Sequence, residues 1–242
     1  MHKLILIWIA ALANVVFAQI NDDVVCAEKA RFDKIEQIRK RSGEFVFHGY
    51  DLKYHRCHWS LNPKIGSDIK GAVLFDFMVE SDVDSLAFDL VEKLVVDSVK
   101  QGSQNLLWER KGDRVWVYKI GGWKSNTRDS FEVFYGGNPI GVSGNNGAYT
   151  YDFHATGPII HTLSQPYGAP YWWPCKQSLS DKIDSIDIIV DTDKDFKVGT
   201  NGMLKSTVSL NASEHRIHWK HKYPIVTYLI AISVTNYEES LD

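Results

Sequence analysis

Beginning after Glu44, the sequence contains a series of short segments in which apolar residues recur at every second position. Clusters of turn residues such as Gly136-Gly137-Asn138-Pro139 separate nearly all of these segments. Alternation with a period of two is typical of strands with one buried face, and no helical periodicity interrupts it. The pattern predicts an all-β domain built as an antiparallel sandwich or a related architecture. The segments predicted as strands are 50–54, 57–61, 73–79, 86–90, 94–99, 115–120, 131–135, 183–190, 203–210, 215–221 and 228–234.

Two local features refine this prediction. The apolar positions change parity between residues 50–54 and residues 57–61, which predicts a β-bulge near residues 55–57. The tripeptide Lys111-Gly112-Asp113 lies between two apolar stretches and predicts the turn of a hairpin.

The first 18 residues have the pattern of a secretory signal peptide. A short basic start is followed by the apolar run 4–13, and compact residues precede a cleavage site after Ala18. The run is shorter than the roughly 20 apolar residues of a bilayer span. We expect a mature chain that begins at Gln19, is secreted or periplasmic, and has no stable insertion in a membrane after cleavage.

Residues 19–43 are predicted to form a helical arm, with one short helix over 22–42. Acidic and amide side chains at 21–23 can cap its start, and Gly43 can end it. Basic residues at 39–41 occupy the last turn, where the helix dipole favours positive charge. The β-domain is then expected to occupy residues 44–242.

Several functions are disfavoured by the sequence. The formal net charge of −3 supplies no positive field for nucleic acid. The three cysteines, Cys26, Cys57 and Cys175, lack metal-ligand spacing, and they leave open which pair, if any, forms a disulfide. The sequence contains neither the H-E-x-x-H motif of zinc proteases nor a G-x-S-x-G nucleophile elbow. We therefore predict no catalytic residue and no metal ligand in this chain.

The histidines at 215, 218 and 221 invite a metal interpretation, but their spacing argues against it. On a strand His215 and His221 share one face, whereas His218 points to the other. His55 and His58 are separated in the same way. We expect all five to be polar strand positions.

The segment 164–176, Ser-Gln-Pro-Tyr-Gly-Ala-Pro-Tyr-Trp-Trp-Pro-Cys-Lys, breaks the alternation and concentrates aromatic and proline residues; we call it the aromatic segment. Rigid aromatic side chains on a loop are typical of a binding rim or an inter-domain contact. They are equally compatible with a loop that caps its own core. The residues alone slightly favour the capping loop.

The aromatic segment also carries a resemblance to a known family. Ser164-Gln165 followed by Trp173-Pro174-Cys175 resembles the Thr/Ser-Gln … Phe/Leu-Pro-Cys signature in the N-terminal domain of the aminopeptidase N family of zinc metallopeptidases, which includes leukotriene hydrolase. Further fragments follow in the family's order over residues 50–237. They are the stretch 54–63 with Ile69-Lys70-Gly71 after it, the stretch 86–97, Phe134-Tyr135-Gly136-Gly137, Asn201-Gly202 and the stretch 219–229.

This resemblance implies a curved, saddle-shaped β-domain that docks on a separate catalytic domain holding zinc. It also implies that the residues after Ser164 face the pocket for the amino terminus of a peptide substrate. By position, Gln165, Tyr167 and Gly168 are the candidate substrate-binding residues. Tyr167 departs from the family, which has Gln or Glu at that position.

A second function from another class stays open at the sequence level. The chain could be a secreted β-sandwich module that binds glycan or peptide, with Tyr171, Trp172 and Trp173 as a stacking platform. Exposure of these rings would favour the binding module, whereas burial would favour the peptidase domain.

Overall fold

A computed structural model describes residues 49–141, 147–178 and 180–238, which form 15 strands and two short 3-10 helices. These described residues belong to one compact unit. The all-β class predicted from the alternation is confirmed. The signal peptide at 1–18, the arm at 19–43 and Cys26 lie outside the described residues and stay predictions. Within the described ranges, no helix has the length and apolarity needed to cross a bilayer.

The strands form three sheets. An eight-stranded sheet has the order β13-β14-β11-β1-β2-β8-β4-β5, a four-stranded sheet has the order β12-β15-β10-β9, and a three-stranded sheet has the order β3-β7-β6. The strand bounds are β1 Tyr50–Leu61, β2 Ile69–Val79, β3 Val83–Asp89, β4 Val95–Gln101, β5 Gln104–Asn105, β6 Leu107–Lys111, β7 Arg114–Trp123, β8 Arg128–Gly137, β9 Tyr149–His154, β10 Gly157–Thr162, β11 Ser185–Asp193, β12 Lys197–Thr200, β13 Met203–Ser209, β14 Glu214–His221 and β15 Ile232–Thr235. The 3-10 helices are Ala169–Tyr171 and Thr227–Leu229.

The hydrophobic core lies on one face of the eight-stranded sheet. Alternate residues of β2 and β8 point inward there, and Phe75 stacks on Phe131 with ring centroids 4.9 Å apart. Phe88, from the three-stranded sheet, packs against both rings. Because a strand places every second side chain on the same face, the period of two in the sequence corresponds to this single buried face.

The opposite face of the same sheet is polar and carries ion pairs across neighbouring strands. Asp191 accepts two hydrogen bonds of 2.7 Å from the guanidinium of Arg216 and contacts Nε2 of His58 at 2.9 Å. Asp187 similarly binds His218 at 2.6 Å and the hydroxyl of Tyr54 at 2.6 Å. These pairs occupy the outward positions left by the alternating pattern.

The parity change in β1 is confirmed, but its predicted place is wrong. The register shift lies between Leu52 and Tyr54, not at residues 55–57. His55 therefore joins the buried face, together with Cys57 and Trp59, all of which have no exposed surface. Because histidine counts as a polar residue in a hydrophobic pattern, the buried His55 conceals the place of the bulge.

The hairpin at residues 111–113 is confirmed as the turn between β6 and β7. Four strands went unpredicted: β5, β9, β10 and β12. β15 is shorter than predicted, because the 3-10 helix Thr227–Leu229 occupies the start of the stretch 228–234.

Candidate functional site

The aromatic segment connects two sheets. It follows β10 of the four-stranded sheet and precedes β11 of the eight-stranded sheet. Its residues contact a third element as well, because Cys175 and Asp89 of β3 exchange backbone hydrogen bonds of 2.8 and 3.0 Å. All three sheets therefore meet at this segment.

The first half of the aromatic segment is a tight turn. The backbone N–H of Gly168 donates to the carbonyl of Ser164 at 2.7 Å, and the peptide bond between Gln165 and Pro166 is cis. A Cβ added at Gly168 would lie 2.7 Å from Cβ of Ala148 and 3.0 Å from Cα of Ser164, so the turn requires glycine there.

The predicted substrate-binding residues have different positions on this turn. Gln165 is exposed, and 60% of the surface of Tyr167 is accessible. Gly168 is half-buried inside the turn. The turn therefore presents the side chains of Gln165 and Tyr167 outward, while Gly168 gives it its shape.

The second half of the aromatic segment caps the core. Trp172 and Trp173 have no exposed surface. The indole of Trp172 donates to Oγ of Ser164 at 2.9 Å. The backbone carbonyl of Trp172 accepts from the hydroxyl of Tyr135 at 2.9 Å. The indole of Trp59 in turn donates to Tyr135 at 3.0 Å. Since both tryptophans are buried, the predicted platform of Tyr171, Trp172 and Trp173 is wrong.

Lys176 fixes the end of the aromatic segment. Its buried ammonium donates to the backbone carbonyl of Tyr50 and to the carboxylate of Asp181, at 2.5 Å each. Its own carbonyl accepts from Thr227 at 3.1 Å. Burial raises the pKa of Asp181, and the hydrogen bond from Lys176 opposes this shift. These contacts join the segment to β1 and to the second 3-10 helix.

Beside the turn lies an open pocket of about 230 Å³, which we call the tyrosine pocket. Tyr167, Pro170 and Tyr171 form one side of it. Gln165 and Gly168 do not line it. The remaining lining residues are Asp89, Val91, Asp113, Arg114 and Gln177.

The polar side of the tyrosine pocket is organised around two carboxylates. Asp89 accepts from the guanidinium of Arg114 at 3.1 Å and from the backbone N–H of Gln177 at 3.2 Å. Burial raises the pKa of Asp89, and the charge of Arg114 acts against that shift. Asp113 accepts the backbone N–H of Glu92 through Oδ1 at 2.7 Å.

The sequence pattern does not predict Asp89, Asp113 and Arg114 as site residues. Asp89 ends β3, whereas Asp113 lies in the turn between β6 and β7 and Arg114 begins β7. Backbone hydrogen bonds bring these residues to the aromatic segment: Asp89 pairs with Cys175, the N–H of Val91 donates to the carbonyl of Pro170, and the N–H of Leu90 donates to the carbonyl of Asp113. No local motif predicts these long-range contacts.

The described part of the chain does not offer a fit for zinc. It contains no group of three or more His, Cys, Asp or Glu side chains that could hold a metal ion. His215 contacts the backbone carbonyl of Phe196 at 2.9 Å, and His218 contacts Asp187. Cys57 and Cys175 are buried free thiols, and burial raises the pKa of each. We derive no chemical step through a metal in this chain.

Comparison with solved structures places this fold among known proteins. An M1 zinc metallopeptidase variant from Deinococcus radiodurans, bound to a Tyr-Ser-Ala substrate, matches with a TM-score of 0.68 and 17% identity, over 77% of this chain and 42% of its own. The unsubstituted M1 zinc metallopeptidase from Deinococcus radiodurans gives a TM-score of 0.66 at 15% identity with the same coverage. The chain has the fold of part of an M1 zinc metallopeptidase. The resemblance predicted from the sequence is thereby confirmed at the level of the fold.

A third structure, described as a two-domain M1 zinc metallopeptidase variant bound to L-tryptophan, matches with a TM-score of 0.68 and 17% identity, over 77% of this chain and 43% of its own. The chain thus aligns with less than half the length of these peptidases. No protein-family model matches the sequence, and the search of curated proteins gave no match.

Proposed function

We propose that this chain is the non-catalytic N-terminal β-domain of an exported zinc aminopeptidase and docks on a catalytic domain. One observation carries the proposal: 77% of this chain aligns with M1 zinc metallopeptidases, yet fills only 42% of the first of them. The described residues do not fit a zinc ion. Zinc binding and peptide hydrolysis therefore belong to the other part of the proposed enzyme.

Within this enzyme, Gln165, Tyr167 and Gly168 contribute to the pocket for the amino terminus of a peptide substrate. The geometry of the aromatic segment supports this role. Its outer half presents the exposed side chains of Gln165 and Tyr167. Its inner half is held by the buried residues Trp172 and Trp173, so the exposed pair stands on a rigid base.

The first test combines gene structure with activity. We expect the intact transcript to encode an H-E-x-x-H segment in the same reading frame, or the chain to co-purify with a polypeptide that contains one. The 242-residue chain alone should not hydrolyse aminoacyl anilides with zinc present, whereas the assembly should. Zinc-dependent hydrolysis by the isolated chain would overturn the assignment as non-catalytic.

The role of the exposed turn needs its own measurement. In the assembled enzyme, Gln165→Ala should raise KM for peptides with a free amino terminus. Lys64→Ala, an exposed change in the turn between β1 and β2, is the control. Equal KM values for both variants would refute the substrate contact at Gln165.

Export is tested separately by sequencing the amino terminus of the protein from its native host. We expect mature protein outside the cytoplasm with Gln19 as its first residue. Protein that retains Met1 and stays in the cytoplasm would contradict the export part of the proposal.

A further inference from the structure

The tyrosine pocket is not explained by the capping role of the aromatic segment, because its ring surfaces face outward. Tyr167 is 60% exposed and Tyr171 is half-buried. Among the described residues, the hydroxyl groups of both tyrosines have no hydrogen-bond partner. Two aromatic side chains thus border an open cavity, and within the described residues their hydroxyl groups make no hydrogen bond.

The charges around the pocket favour a cation. Among the residues that line the pocket, the two carboxylates of Asp89 and Asp113 stand against the single guanidinium of Arg114. The guanidinium of Arg110 is already occupied by the backbone carbonyls at 90, 92 and 94, at 2.7 to 3.2 Å. An anionic ligand would meet uncompensated negative charge.

The two lining carboxylates differ in their capacity for a ligand. Both oxygens of Asp89 accept hydrogen bonds from the protein. Asp113 uses Oδ1 for a backbone N–H. In the part of the chain that the structure describes, Oδ2 of Asp113 has no hydrogen-bond or ion-pair partner. Asp113 therefore supplies the free acceptor of the site.

The size of the pocket limits the ligand to a single group. Pockets for whole drug-sized ligands measure roughly 300–1,000 Å³. The tyrosine pocket, at about 230 Å³, suits one side chain or one chain terminus. A carboxylate beside aromatic faces is the combination that binds ammonium groups, through charge and through the negative face of the ring.

We propose that the tyrosine pocket binds an ammonium group of a peptide, held by the carboxylate of Asp113 and the rings of Tyr167 and Tyr171. The ammonium is either a terminal α-amino group or a lysine side chain. This inference rests on the proposed function only in taking the ligand to be a peptide. In this inference the ammonium group contacts Asp113 rather than Gln165, whereas Tyr167 takes part in both proposed contacts.

The test is an NMR titration of the full chain, which needs no catalytic domain. The probes are alaninamide, with a free α-amino group; N-acetyl-lysine methylamide, with a free side-chain ammonium; and N-acetyl-norleucine methylamide, which is neutral. We expect at least one cationic probe to shift the backbone amides of Tyr167 and Tyr171. Its affinity should fall at high salt, because part of the attraction is exposed to solvent.

Substitutions in the tyrosine pocket test whether the cationic probe binds there. Asp113→Asn removes the charge but keeps an oxygen for the N–H of Glu92, and should weaken binding about tenfold, equivalent to one charge-assisted hydrogen bond. Tyr167→Leu should weaken binding too, since this exposed ring contributes little to the core. Asp97→Asn, an exposed carboxylate on β4, is the matched control and should bind like the unsubstituted chain.

The outcomes separate this inference from the proposed function. Binding of alaninamide alone identifies a site for the peptide terminus, and binding of the lysine probe alone identifies a side-chain site; both support the inference. It is overturned if no cationic probe binds, if the neutral probe binds equally well, or if Asp113→Asn binds like the unsubstituted chain. None of these results depends on whether the chain joins a zinc peptidase, which the activity assay decides.

Discussion

Acidification should destabilise the domain through one buried histidine. His55 lies in the core with no exposed surface, between the rings of Phe75 and Trp173, whose centroids are 4.5 and 5.5 Å away. Nδ1 of His55 donates to the carbonyl of Leu74 at 2.8 Å, so Nε2 is the unprotonated nitrogen. Among the described residues, that nitrogen has no hydrogen-bond partner. A proton on Nε2 would place an uncompensated charge in an apolar surrounding.

The size of this loss of stability follows from the pKa of His55. Burial lowers the pKa of His55 from 6.5 to about 4, against a smaller opposing effect of the hydrogen bond to Leu74. Between these values the unfolded chain binds the proton and the folded chain does not, so stability falls as the pH falls. The difference corresponds to about 3 kcal/mol of unfolding free energy, fully present above pH 6.5 and lost progressively down to pH 4.

The assay is urea denaturation at several pH values, followed by tryptophan fluorescence. The control is His55→Asn, which can keep a donor toward the carbonyl of Leu74 but does not titrate. Between pH 4.5 and 6, the unsubstituted chain should lose about 1.4 kcal/mol per pH unit more than the variant. The lowered pKa values of Asp187 and Asp191 act equally in both proteins and cancel. Parallel pH profiles for the two proteins would refute the reasoning.

Three further predictions concern the core. Tyr135→Phe removes the acceptor for the indole of Trp59 and should cost about 2 kcal/mol in urea denaturation, and an unchanged midpoint would contradict this. Gly71→Ala places a Cβ 2.4 Å from the ring of Tyr135 and should destabilise the domain by about 1–3 kcal/mol; a variant that melts at the same temperature would argue against the close contact. Cys57 and Cys175 should react with a thiol reagent only after unfolding, so rapid labelling of the native protein would show that they are accessible.

The sequence predicted those parts of the fold in which one face of a strand is fully buried. In β2, every second residue from Val73 to Val79 is buried, so the chemical pattern and the geometry coincide. In β9 only Tyr149 is buried, and the rest of the strand is half-buried or exposed. A strand at the margin of the core gives no alternation, and for this reason β9 and its partner β10 were missed.

The candidate site divides in the same way. Its local half is the turn around Gln165 and Tyr167. The concentration of prolines and aromatics drew attention to this stretch, and the resemblance to the family singled out the two residues. Its distant half consists of Asp89 at the end of β3 and Asp113 in the turn between β6 and β7. Backbone contacts of Asp89 with Cys175, of Leu90 with Asp113 and of Val91 with Pro170 bring this half to the aromatic segment. The local sequence therefore indicates which residues are able to bind a ligand. The tertiary contacts determine which of these residues lie close together.

The parallel pairing of β1 with β11 has a consequence for how the polypeptide acquires its structure. Tyr54 and Asp187 hydrogen-bond across this pair although 133 positions separate them. During synthesis on the ribosome, β1 can pair early with β2 along one edge. The other edge of β1 stays unpaired until β11 has been synthesised. During that interval an unpaired edge in the middle of the future sheet is open to other chains. A high contact order of this kind slows folding, so we expect chaperones to bind the chain before this edge is paired.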